Sequence, residues 1–249
     1  MNMNDTSSSV EMEGRKTDKK GSVTNDVFFN IKPLQIKNRY VLFVDIMGMK
    51  TTMARSFKRS AIFMGKFHVA LRKAAGKLAV DVFPVMDGAY VVSEKWSVLN
   101  DFISDFYMCL GRLMVATSEI DECFLIRGGV AFGPVIIGKD ISAEVSAELS
   151  NDDSYRQRLI CGFPLILSYE CEGKAPPFGV YIDTSVRIAE SGGVSGIWLH
   201  GWSKDSVLTK ALPKKIGEYF SAAKLKNEEL LYDREKLVRH EMLAQQYWN

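Results

Sequence analysis

The chain reads as a mixed α+β domain built on a βαββαβ unit, and three observations carry that expectation. A continuous apolar run, Tyr40-Val41-Leu42-Phe43-Val44, ends at Asp45, as a central strand buried on both faces would. Two largely apolar, β-branched runs over 80–85 and 89–93 flank Asp87-Gly88, a strong short-range hairpin signal. Stretches of helical apolar period fill 52–78, between the first strand and that hairpin, and 98–117, after it.

Taken in order, residues 1–26 are rich in Ser, Asp, Asn, Lys and Thr without a sustained apolar period, which predicts a disordered polar tail. Its cluster of Arg15, Lys16, Lys19 and Lys20 reads as a solvated tail or as a docking signal. Order begins at Val27-Phe28-Phe29 or at Arg39. After the first strand comes Gly48, then a helix with Phe57, Ile62, Phe63, Phe67, Ala70 and Leu71 on its apolar side. The second long helix carries Leu99, Phe102, Ile103, Phe106, Leu110, Leu113 and Met114. Residues 123–126 and 130–132 predict a strand interrupted by Gly128-Gly129, with a short strand at Val135-Ile136-Ile137 after Pro134. The polar stretch 140–158 reads as a loop or short helix, and 159–172 as helical after Pro164. Residues 178–182 and 197–199 predict strands, and an amphipathic, charged helical stretch runs from about Pro213 to Trp248. The expected organisation is a tail (1–26), one domain (27–212) and a C-terminal helical extension (213–249). The β-α-β-β-α-β order is the ferredoxin-like arrangement, an antiparallel-rich sheet with helices on one face. Its other face then needs a cover, for which a second copy of the chain is a candidate.

Composition narrows the class of function. With 32 basic against 30 acidic residues the formal net charge is +2, so no whole-chain charge argues for nucleic acid or membrane as a partner. No apolar run reaches the roughly 18 residues of a membrane span. Cys109, Cys123, Cys161 and Cys171 include no Cys-x-x-Cys pair, which argues against a disulfide framework or a structural zinc site. A cytoplasmic protein without nucleic-acid or membrane partners is the expectation.

The chemistry gathers around two carboxylates. Asp45 ends a buried strand, where a lone charge costs several kcal/mol unless something compensates it. Asp87 sits at the tip of the next hairpin, whose strand can pair beside the first, so both carboxylates reach one sheet edge. Divalent cations relieve the repulsion between such a pair, and magnesium or manganese suits an all-oxygen setting. Ile46, Met47, Gly48 and Met49 form a turn opening onto a helix, with Lys50 beside it; backbone N–H groups in such a turn favour phosphate. Read singly, Asp45 is also a common helix cap and Asp87-Gly88 a common turn; together, in this order of elements, they point to metal and phosphate.

Phe43-Val44-Asp45-Ile46-Met47-Gly48-Met49 resembles the metal-binding strand and phosphate turn of the class III adenylyl and guanylyl cyclases. Asp87 matches the position of their second metal-binding Asp, and Arg127-Gly128-Gly129-Val130-Ala131-Phe132-Gly133 resembles their following strand. The similarity covers about 39–183. It implies that Asp45 and Asp87 hold two metal ions, Mn2+ or Mg2+, with Ile46 adding a backbone carbonyl. It also implies that Met47, Gly48 and Met49 hold nucleotide phosphates and that Arg127 contacts the triphosphate; a salt bridge beneath the sheet is the competing role for Arg127. The chain departs from the purine-converting members. Phe83 stands where they carry a base-reading Lys, and Leu159, Ile166 and Glu170 replace their base-reading acid, Asn and Arg.

Gly162-Phe163-Pro164, Ser168-Tyr169-Glu170-Cys171-Glu172 and Pro177-Phe178-Gly179-Val180-Tyr181-Ile182-Asp183 resemble the Pycsar pyrimidine nucleotide cyclases of bacterial antiphage defence. That resemblance implies a homodimer, with active sites at its interface, that converts UTP or CTP to the 3′,5′-cyclic monophosphate and pyrophosphate, uracil being favoured over cytosine. The alternatives are a catalytically silent cyclase-like module, a purine cyclase, or another two-metal palm enzyme. A diguanylate cyclase is opposed by the hairpin sequence Val85-Met86-Asp87-Gly88. Arg156 and Arg158 in the polar loop are candidates for the missing transition-state cation, or part of a solvated face. His68, His200 and His240 show no metal spacing.

Overall fold

A computed structural model of the chain describes residues 36–76, 78–141, 152–225 and 233–247. The expected tail over 1–26, the Val27-Phe28-Phe29 start and most of the polar stretch 140–158 lie outside the described residues. The elements are β1 (Lys37–Ile46), α1 (Met49–Arg55), α2 (Phe57–Ala75), β2 (Asp81–Val85), β3 (Gly88–Ser93), α3 (Trp96–Ala116) and β4 (Ile126–Ile137). They continue with α4 (Asp153–Arg156), β5 (Ile160–Gly162), α5 (Phe163–Glu172), β6 (Val180–Ile182), α6 (Thr184–Ala189), β7 (Trp198–Leu199), α7 (Ser206–Leu225) and α8 (Arg234–Ala244).

The strands run β2-β3-β1-β4-β6-β7, with β5 also pairing β4. The first four are antiparallel, and β6 joins β4 in parallel. The predicted βαββαβ unit is therefore present, and its apolar first strand is central, between β3 and β4. Alternation divides the sheet's faces. Tyr40, Leu42, Val44 and Ile46 join the main core, whereas Val41 belongs with Phe83, Val92, Val135 and Ile137 on the other side.

The main core is built from helical stripes. Phe63, Phe67, Ala70, Leu71 and Ala74 are buried along α2, and Leu99, Phe102, Ile103, Phe106, Leu110 and Met114 along α3. Each fully buried Phe or Leu contributes about 2 kcal/mol. The expected single helix over 52–78 is two helices, because Ser56 leaves helical geometry and caps α2 by accepting the Arg59 N–H at 3.3 Å. The C-terminal helical stretch starts at Ser206, before Pro213, and α7 packs Leu208 and Leu212 against Gly111 of α3.

Two expectations about the sheet also change. Gly128-Gly129 does not interrupt a strand; β4 runs unbroken for 12 residues. A side chain at Gly129 would collide with the α5 backbone at Ser168 and Glu172, so the missing side chain accommodates a helix. Nor are the helices confined to one face. The α2, α3 and α7 helices pack into the main core, but α5 crosses the opposite face of β4 and β1. Its Tyr169 ring stands 5.2 Å from that of Phe43, and its Leu165 packs with the second cluster.

Candidate active site

The same face of β1 and the end of the hairpin build the site. Asp45, near the C-terminal end of β1, lies opposite Gly88 of β3 and Arg127 of β4. The hairpin turn is Met86-Asp87, with Met86 at φ 51°, and Gly88 is already the first residue of β3. Gly88 is required here: a Cβ on it would stand 2.7 Å from the Val44 carbonyl and 3.1 Å from the Asp45 carboxylate. The Ile46 N–H donates to the Asp87 carbonyl at 3.4 Å, holding the hairpin tip beside the end of β1.

The residues singled out in the sequence for the metal pair and the phosphate turn, together with Arg127, line one cleft of about 660 Å³: Asp45, Ile46, Met47, Gly48, Met49, Asp87 and Arg127. Gly48 adopts φ 77°, the left-handed conformation that lets the chain turn directly into α1. The Met47 N–H is spent on the Leu125 carbonyl at 2.9 Å, so the later N–H groups of the turn are the donors a phosphate would meet. Lys50 also lines the cleft, on the seven-residue helix α1.

Charge is unevenly matched at this end of the sheet. Burial, then the neighbouring Asp87 and Glu172, push the Asp45 carboxyl up to about 8; Arg127 and the Ile46 N–H pull the other way without prevailing. Arg127 donates from Nε to Glu172, and both side chains are largely buried. Even so paired, Glu172 is held above the usual carboxylate range by its burial. The salt bridge considered for Arg127 thus exists, on a residue that also lines the cleft.

The site contains residues that the sequence reading did not assign to it. Helix α8 lines the cleft with Lys236, Arg239 and His240, and Asp233 caps it by accepting the Glu235 and Lys236 N–H groups at 3.0 and 3.1 Å. Arg127 Nη1 lies 3.0 Å from His240 Nε2. A guanidinium only donates, so that nitrogen accepts and the imidazole is neutral. Burial, then Arg127, Arg239 and Lys236, lower the His240 pKa to about 3, in agreement. The spacing Lys236, Arg239, His240 places all three on one helical face, a signal visible in the sequence that does not say what the face meets.

Tyr169 lines the cleft from α5. Phe83 is buried in the second apolar cluster, while Ile166 and Glu170 are exposed on α5. Arg156 pairs with Asp153, and neither it nor Arg158 is among the residues lining the cleft. The four cysteines are free thiols. Among the described residues no cluster of three or more His, Cys, Asp or Glu side chains could hold a metal. No helix among the described residues is long and apolar enough to cross a membrane.

No protein-family profile matches the chain, and no curated protein matches it. Solved structures do. A bacterial light-regulated adenylyl cyclase aligns with a TM-score of 0.50 at 14% identity, over 63% of this chain and 81% of that one. The guanylyl cyclase domain of the RhoGC fusion protein from the aquatic fungus Blastocladiella emersonii aligns at 0.47 and 16% identity, over 63% and 86%. The adenylate/guanylate cyclase/hydrolase from Silicibacter pomeroyi aligns at 0.45 and 12% identity, over 65% and 83%. The first of these likenesses establishes the fold: an α+β domain of the kind seen in nucleotide cyclases.

Proposed function

We propose that this chain is a nucleotide cyclase that converts UTP, or CTP, to the 3′,5′-cyclic monophosphate and pyrophosphate, producing a second messenger in antiphage defence. The observation that carries the reading is the convergence of Asp45 and Asp87 in a cleft where burial and mutual repulsion drive a carboxyl to about 8. A structural role alone gives no reason to keep such a pair; a cation site does.

The donors suit magnesium or manganese, which bind through one or two carboxylates and take their remaining ligands from water and substrate phosphates. Two such ions would supply charge neutralisation on the triphosphate and lower the pKa of the attacking hydroxyl. In the reaction the ribose 3′-oxygen forms a bond to the α-phosphorus as the bond to the pyrophosphate oxygen breaks, and the hydroxyl proton passes to solvent. Asp45, Asp87 and the Ile46 carbonyl hold the cation side of the substrate. The N–H groups of Gly48 and Met49 take phosphate oxygens, Met47 contributes the wall of the turn, and Arg127 orients the triphosphate. Positioning and electrostatics are the main catalytic demands in phosphoryl transfer, which fits this inventory.

The pyrimidine assignment draws on Phe83, Ile166 and Glu170. Burial of Phe83 leaves no polar group at the position from which purine cyclases read the base, and Tyr169 offers an aromatic face beside Phe43. A homodimer follows the same reading: Phe163, Ile166 and Tyr169 leave an exposed apolar edge along α5, available to a second copy.

Incubation of the protein with Mn2+ and each of the four NTPs, with products identified by mass spectrometry, tests this. Cyclic UMP or cyclic CMP is expected. Cyclic AMP or cyclic GMP would overturn the pyrimidine assignment, and no cyclic product from any nucleotide would overturn the cyclase. The second reading, a silent nucleotide-binding module, is favoured by the engagement of Arg127 with Glu172 and His240; it predicts NTP binding without turnover.

A further inference from the structure

Helix α8 is held in place by contacts that leave most of its cleft-facing charge unspent. Leu237 and Ala244 are buried in the main core, His240 accepts from Arg127, and Lys224 of α7 pairs with Glu241 at 2.6 Å. Lys236 and Arg239 also face the cleft and are exposed. Arg239 donates to the Gly173 carbonyl at 3.2 Å and its charge reaches Glu172, but among the described residues neither cation forms a salt bridge with a carboxylate. Asp233, which lines the cleft beside them, uses its oxygen to cap the helix.

The cleft is therefore two-signed. Asp45 and Asp87 on the sheet attract cations, while Lys236 and Arg239 on α8 attract anions. A polyphosphate carrying divalent metal satisfies both sides at once, with its metal-bound oxygens toward the carboxylates and its outer oxygens toward the helix. A nucleoside satisfies neither.

We propose that α8 is a phosphate clamp in which Lys236 and Arg239, on the same chain as Asp45 and Asp87, bind the outer phosphates of a metal-bound nucleoside triphosphate. This rests on the reading of the cleft as a triphosphate site, and not on the cyclisation step. The Arg127–His240 contact positions the clamp, since it joins β4 to the helix that carries both cations.

The test is calorimetric titration of the full chain, with Mg2+, by inorganic tripolyphosphate, by α,β-methylene UTP and by UMP. Lys236→Gln/Arg239→Gln is expected to weaken both triphosphate probes by about tenfold or more, as loss of charge-assisted bonds does, and UMP far less. Arg234→Gln removes a charge from the same helix away from the cleft and should change nothing. The swap Lys236→Arg/Arg239→Lys should restore most of the affinity. Unchanged binding in the Gln pair, an equal loss in Arg234→Gln, or no recovery in the swap would overturn the clamp. So would failure of the unaltered protein to bind either triphosphate, which would remove the substrate reading as well. If triphosphate binding depends on the two cations but no cyclic product forms, the clamp stands and the cyclase falls. If cyclic product forms with an unchanged KM in the Gln pair, the cyclase stands and the clamp falls.

Discussion

The two ends of β1 carry charged clusters of opposite character. Near its start, Arg39 is fully buried and its guanidinium donates to both oxygens of Asp140 at 2.6 and 2.8 Å, to Glu94 at 3.1 Å and to the Val135 carbonyl at 2.9 Å. There Asp140 and Glu94 are held below the usual carboxylate range: hydrogen bonds from Lys37 and then Arg39 lower Glu94, and those from Arg39 and the Ile137 N–H prevail over burial at Asp140. Near its end, Arg127 is bonded to Glu172 and offsets Asp45 only in part, and burial, Asp87 and Glu172 push Asp45 up to about 8. The first cluster is matched within the chain and acts as structure. In the second, the other cations that line the cleft, Lys50, Lys236 and Arg239, make no salt bridge to Asp45 or Asp87 among the described residues, and an unmatched carboxylate pair is what a cation-dependent site requires.

Substitutions at the two ends should therefore separate activity from stability. Asp45→Ala or Asp87→Ala is expected to lower the rate of cyclic product formation by about a thousandfold, the scale of losing a principal electrostatic group. The melting temperature without metal should hold or rise. Product assays and thermal denaturation on the same samples check both halves. Asp140→Ala should do the reverse, costing about 3 kcal/mol in denaturant unfolding by leaving Arg39 without its main partner, with activity per folded molecule retained.

A smaller effect lies in the pH dependence, and its sign differs at the two ends. Folded Asp45 keeps its proton up to about 8, whereas the unfolded chain releases it near 3.8. Between those values the folded state binds more protons, so stability without metal falls as pH rises. Asp45→Asn should flatten that alkaline limb, and Mg2+ at pH 8 should raise the melting temperature of the unaltered protein but not of Asp45→Asn. For Asp140 and Glu94 the folded pKa is lowered, so their contribution is present above the ordinary values of 3.8 and 4.5 and is lost as pH falls through the lowered ones. Asp140→Asn should flatten the acid limb alone. The smallest effect is expected from Glu172→Gln. Removing that neighbouring charge should move the alkaline limb to lower pH, at about 1 kcal/mol of stability for the weakened Arg127 bond. An unmoved limb would show that Glu172 exerts no field on Asp45.

Much of the sheet was legible in the sequence because the information is local. An apolar run ending in Asp45, a hairpin around Asp87 and helical stripes through Phe63 and Phe102 each specify an element by period alone. Legibility failed where a distant segment decides the outcome. Gly128-Gly129 looked like a break because a helix passing over Gly129 cannot be inferred from the strand itself. The position of α5 on the second face failed for the same reason. Arg127 was recognisable as a charged residue entering β4, but its partners, Glu172 and His240, lie 45 and 113 residues further on.

By itself, then, the sequence determined the strand order around β1 and the placing of Asp45, Gly48 and Asp87 at one sheet edge, since strand pairing and turn chemistry act over short spans. Only the tertiary structure decided how charge is balanced there. Burial depth, the salt bridge from Arg127 to Glu172 and the docking of Lys236 and Arg239 across from the carboxylates all depend on which remote surfaces come together. Electrostatic energy depends on distance and solvent access in three dimensions, and spacing along the chain encodes neither.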